Sequence, residues 1–440
     1  MMKHKFNKSV SLLVVVFMLM ALVISGCGKS DSQTSQSTSE TAKNADQKIT
    51  VLLPKHEMDN KGFMEKETRE FESKSGIKVE LINMSWDNVA DRVTTEMASG
   101  GSSYDVIEFD NSWVSKFVTN DWVTSIDDYV TAEMKEGILP GLLSKFSYKE
   151  KLYGIPWNND TRFFMYNKKK LDDAGIAAPP RTWAELEEQT KILQGKGLVK
   201  YGYIDSYMQS QSAPNQITFA VYSFGADYFD ADGNLSIAGN PALKSAYEFL
   251  RKGINETKII DPSSLTSNYE TIANVFCKGD TAFFLQAWPG IYTMANDAET
   301  SKIVGEIAVA PYSIGVDEKT NAVLTLPEAM AVPKASKVKD EAWKYIEYMS
   351  SKEFDKKKAL EIGALPIWKD SFNDEELLKV YPYWKDFGKQ ALSAKGLQDI
   401  LWYDQFSNIL QVESLKILLG EVSVDEGLKN MEEQCKQAMN

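Results

Sequence analysis

The stretch YGIPWNNDTRFFMYNKKKLDDAGI, Tyr153 to Ile176, brings an apolar approach and a proline directly up to Trp157, Asn158, Asn159 and Asp160. An aromatic run and a basic, helix-like segment follow. A Trp, two amides and a carboxylate so close together in an extended segment allow two readings. One is a polar turn beside a core strand. The other is a hinge between two lobes whose side chains face a ligand. The surrounding chain decides between them.

Upstream, strands and helices alternate. KITVLLP (48–54) reads as a buried strand, and FMEKETREFESKSG (63–76) as a helix with Phe63 and Phe71 on one face and Gly76 near its end. IKVELINMSW (77–86) is the next strand. NVADRVTTEMASGG (88–101) places Val89, Val93 and Met97 at i, i+4 and i+8 and stops at two glycines. YDVIEFD (104–110) is a strand ending in Asp110. This βαβαβ order predicts a mainly parallel sheet covered by helices. Downstream lies a second α/β region. TWAELEEQTKILQGKG (182–197) opens with a capping box, Thr182 to Glu185, and NPALKSAYEFLRKG (240–253) has Pro241 as first helical residue. ETIANVFCKGDTAFFLQAWPG (270–290) reads helix, turn, strand, and EIAVAPY (306–312) is another strand. EAMAVPKASKVKDEAWKYIEYMSS (328–351) reads strand, loop, helix. A helical tail follows the extended break LPIWKDSF (365–372), and SVDE (423–426) is a second capping box.

The first residues are basic, and Leu12 to Ile24 is an unbroken apolar run. A spanning helix needs about 18 residues or more, so this run reads as the core of a secretory signal. It ends in VISGCGKS (23–30), which resembles a bacterial lipobox with Cys27 as the lipid acceptor. The Ser-, Thr- and Gln-rich residues after it bury too little to fold and predict a disordered tether of about 25 Å. The expected place is the extracellular face of the bacterial cytoplasmic membrane, held by a lipid on Cys27. The expected organisation is a signal peptide over 1–26 and tether over 27–47. Lobe 1 covers 48–158 plus 312–365, and lobe 2 covers 159–311 plus 366–440.

The net formal charge is −13, and loss of Lys3, Lys5 and Lys8 with the signal makes it more negative. That opposes nucleic acid and anionic lipid surfaces as partners. His56 is the only histidine beyond the signal, which removes His-rich metal sites and makes a His-based catalytic triad improbable. No Cys-x-x-Cys, phosphate-binding loop or dinucleotide fingerprint is present, and no cofactor or metal is expected. Cys277 and Cys435 could pair outside the cell. Leu428, Met431 and Cys435 at i, i+3 and i+7 favour two separate buried thiols.

The order of these motifs, from lipobox through YDVIEFDNSWVSKFVTNDWVTSIDDYV, KLYGIPWNNDTRFFMYNKKKLDDAGI, FCKGDTAFFLQAWPG and AMAVPKASKVKDEAWKYIEYMSS to IGALPIWKD, resembles the extracellular solute-binding protein family 1 of ABC importers, in particular its maltose/trehalose-binding group. The resemblance spans Lys48 to Asn440. It implies an α/β fold of the two-lobed periplasmic-binding-protein type (type II) with a hinged interlobe cleft. The expected chain crossings lie near Trp157–Asp160, Ala310–Tyr312 and Ala364–Ile367. It further implies a monomer that binds a mono- or oligosaccharide, delivers it to ABC permease subunits and catalyses nothing.

Sugar recognition needs carboxylates and amides for hydroxyls and an aromatic face for the ring; hydrogen bonds to carboxylates are about twice as strong as neutral ones. Asp160 and Asp110 match carboxylate positions of the group, and Trp288 matches its stacking Trp. The plain alternatives are a turn Asp, a helix N-cap and a core Trp. Trp157 and Asn158 share the hinge strand. Trp86, His56 and Glu57 follow strand ends whose loops face the cleft. Two positions depart from the group: Glu328 stands where a Trp is usual, and Trp368 where a basic residue is usual. They point to a polar or cationic ligand feature near Glu328 and an aromatic wall at Trp368. Two alternatives stay open: a binding protein of the same fold for a polyamine or peptide, and a glycosidase using two of Asp110, Asp160 and Glu328. The latter needs carboxyl groups about 5–5.5 Å or 6.5–9.5 Å apart.

Overall fold

A computed structural model describes residues 47–56, 59, 61–317, 319–384, 387 and 394–439. Cys27, Glu57, the signal segment and the tether lie outside the described residues. The chain divides into the units Met1–Lys43 and Asn44–Asn440, and the fold below is that of the second.

Its principal elements are β1 (Lys48–Pro54), α1 (Phe63–Ser75), β2 (Lys78–Met84), α2 (Trp86–Ala98), β3 (Val106–Asp110), β4 (Ile155–Asn158), β5 (Phe163–Asn167), α3 (Trp183–Gly195), α4 (Ala213–Ser223), α5 (Pro241–Asn255), α6 (Tyr269–Cys277), β6 (Phe283–Ala287), β7 (Ile307–Val309), β8 (Glu328–Ala331), α7 (Lys339–Met349), α8 (Lys352–Ile362), α9 (Tyr403–Leu419) and α10 (Val424–Ala438). Local chemistry sets many ends. Gly76 closes α1 in the left-handed region at φ 75°, where a side chain is disfavoured. The Thr182 side chain accepts from Glu185 N, and Asn240 caps α5 ahead of Pro241. Ser423 caps α10 through Glu426 N.

Two sheets form. One has the order β2-β1-β3-β8-β4 and the other β6-β5-β7. In the first, β1 runs parallel to β2 and β3, as the βαβαβ pattern predicts. β8 inserts antiparallel between β3 and β4, because it returns from the other lobe. The second sheet is antiparallel throughout.

A first core gathers Val51, Phe71, Val93, Phe109, Trp157, Met330, Tyr345 and their neighbours. The second lobe carries two cores, one around Trp183, Tyr247, Phe283 and Phe406, the other around Phe163, Phe276, Trp288 and Tyr381. The chain leaves the first core after Trp157 and enters the second lobe at Phe163. The return differs from the expectation at Ala310–Tyr312. Ala310, Ile314, Ala322, Leu324 and Leu326 all belong to the second lobe, and the first core resumes at Ala329. The reason is pairing: β7 is bonded to β5, with Val309 opposite Met165, so EIAVAPY stays in the second sheet. The last passage follows Ile367 and Trp368, which pack in the first core. Cys277 and Cys435 are free and buried in different cores, and burial pushes each thiol up to about 12.

Candidate functional site

Three strand ends meet in register. Glu328, first residue of β8, is the partner of Asp110, last residue of β3, and of Asn158, last residue of β4. Strand pairing alone therefore brings residues 110, 158 and 328 to one edge of the sheet. β1 ends beside them and delivers Lys55 and His56. Together they floor a chamber walled from the second lobe by Asp160, Arg162, Asn215, Tyr269 and Trp288, with Trp86 also lining it. Ligands of open α/β sheets bind in such crevices at strand ends. The space continues outward past Lys55, His56, Trp86 and Tyr269 to Met84, Asp87, Asn274 and Met294.

The floor is tightly bonded. Asn158 Nδ2 donates to Glu328 Oε2 at 2.7 Å, and His56 Nε2 lies 3.3 Å from the same oxygen. Asp110 Oδ1 accepts from Ser112 N at 2.8 Å and from Ser112 Oγ at 2.6 Å. Asp110 is thus both an N-cap and a chamber residue. Asp160 Oδ2 accepts from Arg162 Nη2 at 2.5 Å. The Arg162 guanidinium carbon lies 5.1 Å from the Tyr269 ring centre and 5.2 Å from that of Trp288.

Burial of so many charges separates their titrations. Burial, reinforced by the charges of Glu328 and Asp160, raises Asp110 to about 7 against its bonds from Ser112. Burial raises Asp160 to about 6 although Arg162 opposes it. Behind the floor, burial and the charge of Glu328 hold Glu108 well above the carboxylate range. Glu328 itself is also buried, but His56, the Asn158 amide and Arg162 outweigh this and lower it. Of the two glutamates, Glu108 is thus pushed toward its neutral form and Glu328 toward its charged one.

His56, Trp86, Asp110, Asn158, Asp160, Trp288 and Glu328 line the chamber. Two expected residues do not. Trp157 is 1 % exposed. Its Nε1 donates to Glu108 Oε2 at 3.1 Å, and its ring packs 5.4 Å from that of His56. A register shift of β4 against β8 at Glu328/Ala329 leaves it beneath the floor, where it supports the imidazole. Trp368 is no aromatic wall. Its Nε1 donates to Ser350 O at 2.9 Å, it pairs with Ile138, and its ring lies over the bare backbone of Gly137. Lys55, Arg162, Asn215 and Tyr269 were not foreseen. Arg162 sits inside the opening stretch, two residues beyond Asp160. Tyr269 is the first residue of an ordinary amphipathic helix, which gives no signal.

Two lobes, three chain passages and a polar chamber between the lobes define a solute-binding protein. The chain belongs to the bacterial extracellular solute-binding protein family, whose pattern matches residues 57–356. A Brucella abortus protein described as a binding protein is 24 % identical over 311 residues, 70 % of this chain and 73 % of that one. Among solved structures, the maltose-bound MalE3 of T. maritima aligns with a TM-score of 0.81 at 24 % identity, over 89 % of this chain and 99 % of that one. A solute-binding protein of Thermotoga lettingae bound with α-D-tagatose aligns at 0.80 and 24 %, over 90 % and 100 %.

Proposed function

We propose that this chain is the lipid-anchored, monomeric capture subunit of an ABC importer, and that its ligand is a neutral mono- or oligosaccharide handed to the permease unchanged. The observation that carries this reading is the register of Asp110, Glu328 and Asn158 opposite Asp160. It supplies carboxylates and an amide at one wall while Trp86 and Tyr269 supply aromatic surface at the others. Hydroxyl-rich rings demand that combination. The ligands of the T. maritima and T. lettingae proteins, maltose and tagatose, are of this kind. The lobe boundaries proposed are those of the core passages, with the return at Leu326–Ala329. The anchor is Cys27, from the lipobox-like VISGCGKS.

A thermal-shift screen of maltose, D-tagatose, D-mannitol, cellobiose and spermidine tests the ligand class. Binding at 100 Kd stabilises by about 2.7 kcal/mol, so a cognate sugar raises the melting temperature clearly. A shift with spermidine alone favours a cationic ligand, the reading kept open by three carboxylates in one chamber. Sugars recovered after incubation carry no new reducing ends if the protein only binds. Cys27→Ala moves the protein out of the membrane fraction; a variant that stays there at mature size removes the anchor from this proposal.

A further inference from the structure

One corner of the chamber holds four buried polar atoms without a protein partner: Asp160 Oδ1, Arg162 Nε, Arg162 Nη1 and Trp288 Nε1. Their residues are 8 %, 4 % and 5 % exposed. Buried polar groups are rarely left unpaired, because desolvation is then uncompensated. Arg162 Nη2 is already engaged by Asp160 Oδ2. The guanidinium lies against the rings of Tyr269 and Trp288, so its edge is what remains to be used. Trp288 is constrained in the same way. Arg162 lies over its ring, Phe284 meets it edge-on at 5.5 Å and 82°, and Tyr269 is tilted against it at 5.2 Å. Its ring is thus packed by its neighbours, and its nitrogen edge is left without a protein partner.

We infer that this corner reads hydroxyl groups edge-on. Arg162 Nε and Nη1 and Trp288 Nε1 donate to the oxygens of a neutral polyol or sugar, and Asp160 Oδ1 accepts from its O–H groups. The inference rests on the carbohydrate reading above and replaces stacking on Trp288 by hydrogen bonding from it. Charged ligands fit worse. An anion would answer the three donor atoms but would face the carboxylates of Asp110, Asp160 and Glu328, and Arg162 is already neutralised at contact. A cation would answer Asp160 Oδ1 and leave the three donors unpaired. A hydroxyl does both, since it donates and accepts.

The test uses the full-length chain with D-mannitol, D-tagatose and maltose as neutral probes and D-glucuronate and spermidine as charged ones. The tightest neutral probe is then titrated against Trp288→Phe and Arg162→Lys. Trp288→Phe keeps an aromatic six-membered ring but loses the N–H together with the five-membered ring, so binding weakens at least about threefold to tenfold. Its ligand-free melting temperature falls somewhat, because the smaller ring leaves space in a packed core, so affinity is measured on the folded protein. Arg162→Lys keeps the charge, loses the planar edge and weakens binding at least about tenfold. If a neutral probe binds and Trp288→Phe holds it as tightly as the parent, the inference falls while the carbohydrate reading stands. If glucuronate or spermidine binds and no neutral probe does, or none of the five binds, the carbohydrate reading falls and the ligand class of this corner with it.

Discussion

Asp355 and Lys358, one turn apart on α8, fasten two of the three passages between the lobes. The Asp355 carboxylate accepts from Ile367 N at 3.0 Å and Trp368 N at 3.2 Å, and Lys358 Nζ donates to the carbonyl oxygen of Trp157. Their charged ends are 3.7 Å apart, and both side chains are 1 % exposed. Removing one partner of a buried pair leaves an uncompensated charge and costs about 3–5 kcal/mol. Asp355→Ala is therefore expected to lower the urea unfolding free energy by about that much. The double variant Asp355→Leu with Lys358→Met is expected to lose less, since no lone charge remains. If the double variant is the less stable of the two, the brace acts through its geometry rather than its charge.

Trp368 and Trp157 belong to the fold, and their variants should show it. Trp368→Ala empties a core site and is expected to cost about 3–5 kcal/mol of stability. A sugar that binds the parent should bind the folded fraction of this variant with unchanged affinity. In Gly137→Ala the new Cβ would stand 2.2 Å from Trp368 Cζ3, and the resulting displacement is expected to cost about 1–3 kcal/mol. Calorimetric titration beside thermal melting separates the two effects. Lost affinity at unchanged stability would return Trp368 to the ligand.

How much of this was legible in the sequence follows from what each feature depends on. Asp110 at the end of YDVIEFD and Asp160 just past the hinge proline were placed by their match to carboxylate positions of the group the chain resembles, and both line the chamber. The partnership of Asp110, Asn158 and Glu328 depends on β8 inserting antiparallel between β3 and β4, which no single segment encodes. The direction of the Trp157 ring depends on the register shift at Glu328/Ala329. The close approach that buries Trp368 depends on Gly137. The return passage was misplaced for a similar reason. EIAVAPY is a strand in either lobe, and only its bonding to β5 assigns it.

Closure of the lobes has its own fastening. Lys116, on the short helix Val114–Thr119 after β3, pairs with Asp404 on α9, and Ser115 Oγ donates to Asp399 Oδ1 at 2.6 Å. Val114 and Phe117 pack in the first core, Tyr403 and Phe406 in the second, so these contacts cross the cleft. An incompletely buried ion pair contributes about 0.2–1 kcal/mol. Lys116→Met is expected to weaken binding of a cognate sugar by up to about fivefold, through faster dissociation. In small-angle scattering the unliganded variant should show a radius of gyration no smaller than the parent's. A dissociation rate equal to the parent's would show that the pair does not hold the closed arrangement.

The raised carboxylates set a pH dependence with a definite sign. Asp110 is held at about 7, mainly by burial, against an ordinary value of 3.8. Asp160 and Asp205 are raised by burial to about 6. In each case the folded state holds its proton over a range where the unfolded chain has lost it. Their contribution is full below about pH 4 and is lost as pH rises through about 6 to 7. Glu328, lowered in the fold, acts in the opposite sense. Its contribution is present above the ordinary carboxylate range and is lost as pH falls through its folded value. The Glu328 contribution is complete by about pH 5, so Asp110, Asp160 and Asp205, with Glu108 raised in the same sense, predict that the ligand-free protein becomes less stable between pH 5 and pH 8, by on the order of a few kcal/mol. Asp110→Asn cannot ionise, and its amide can still accept from Ser112. Urea unfolding at the two pH values should therefore show a smaller decline for this variant than for the parent. An equal decline in both would place the titrating group elsewhere than Asp110, and a rise with pH in the parent would show that the raised carboxylates do not govern the pH dependence.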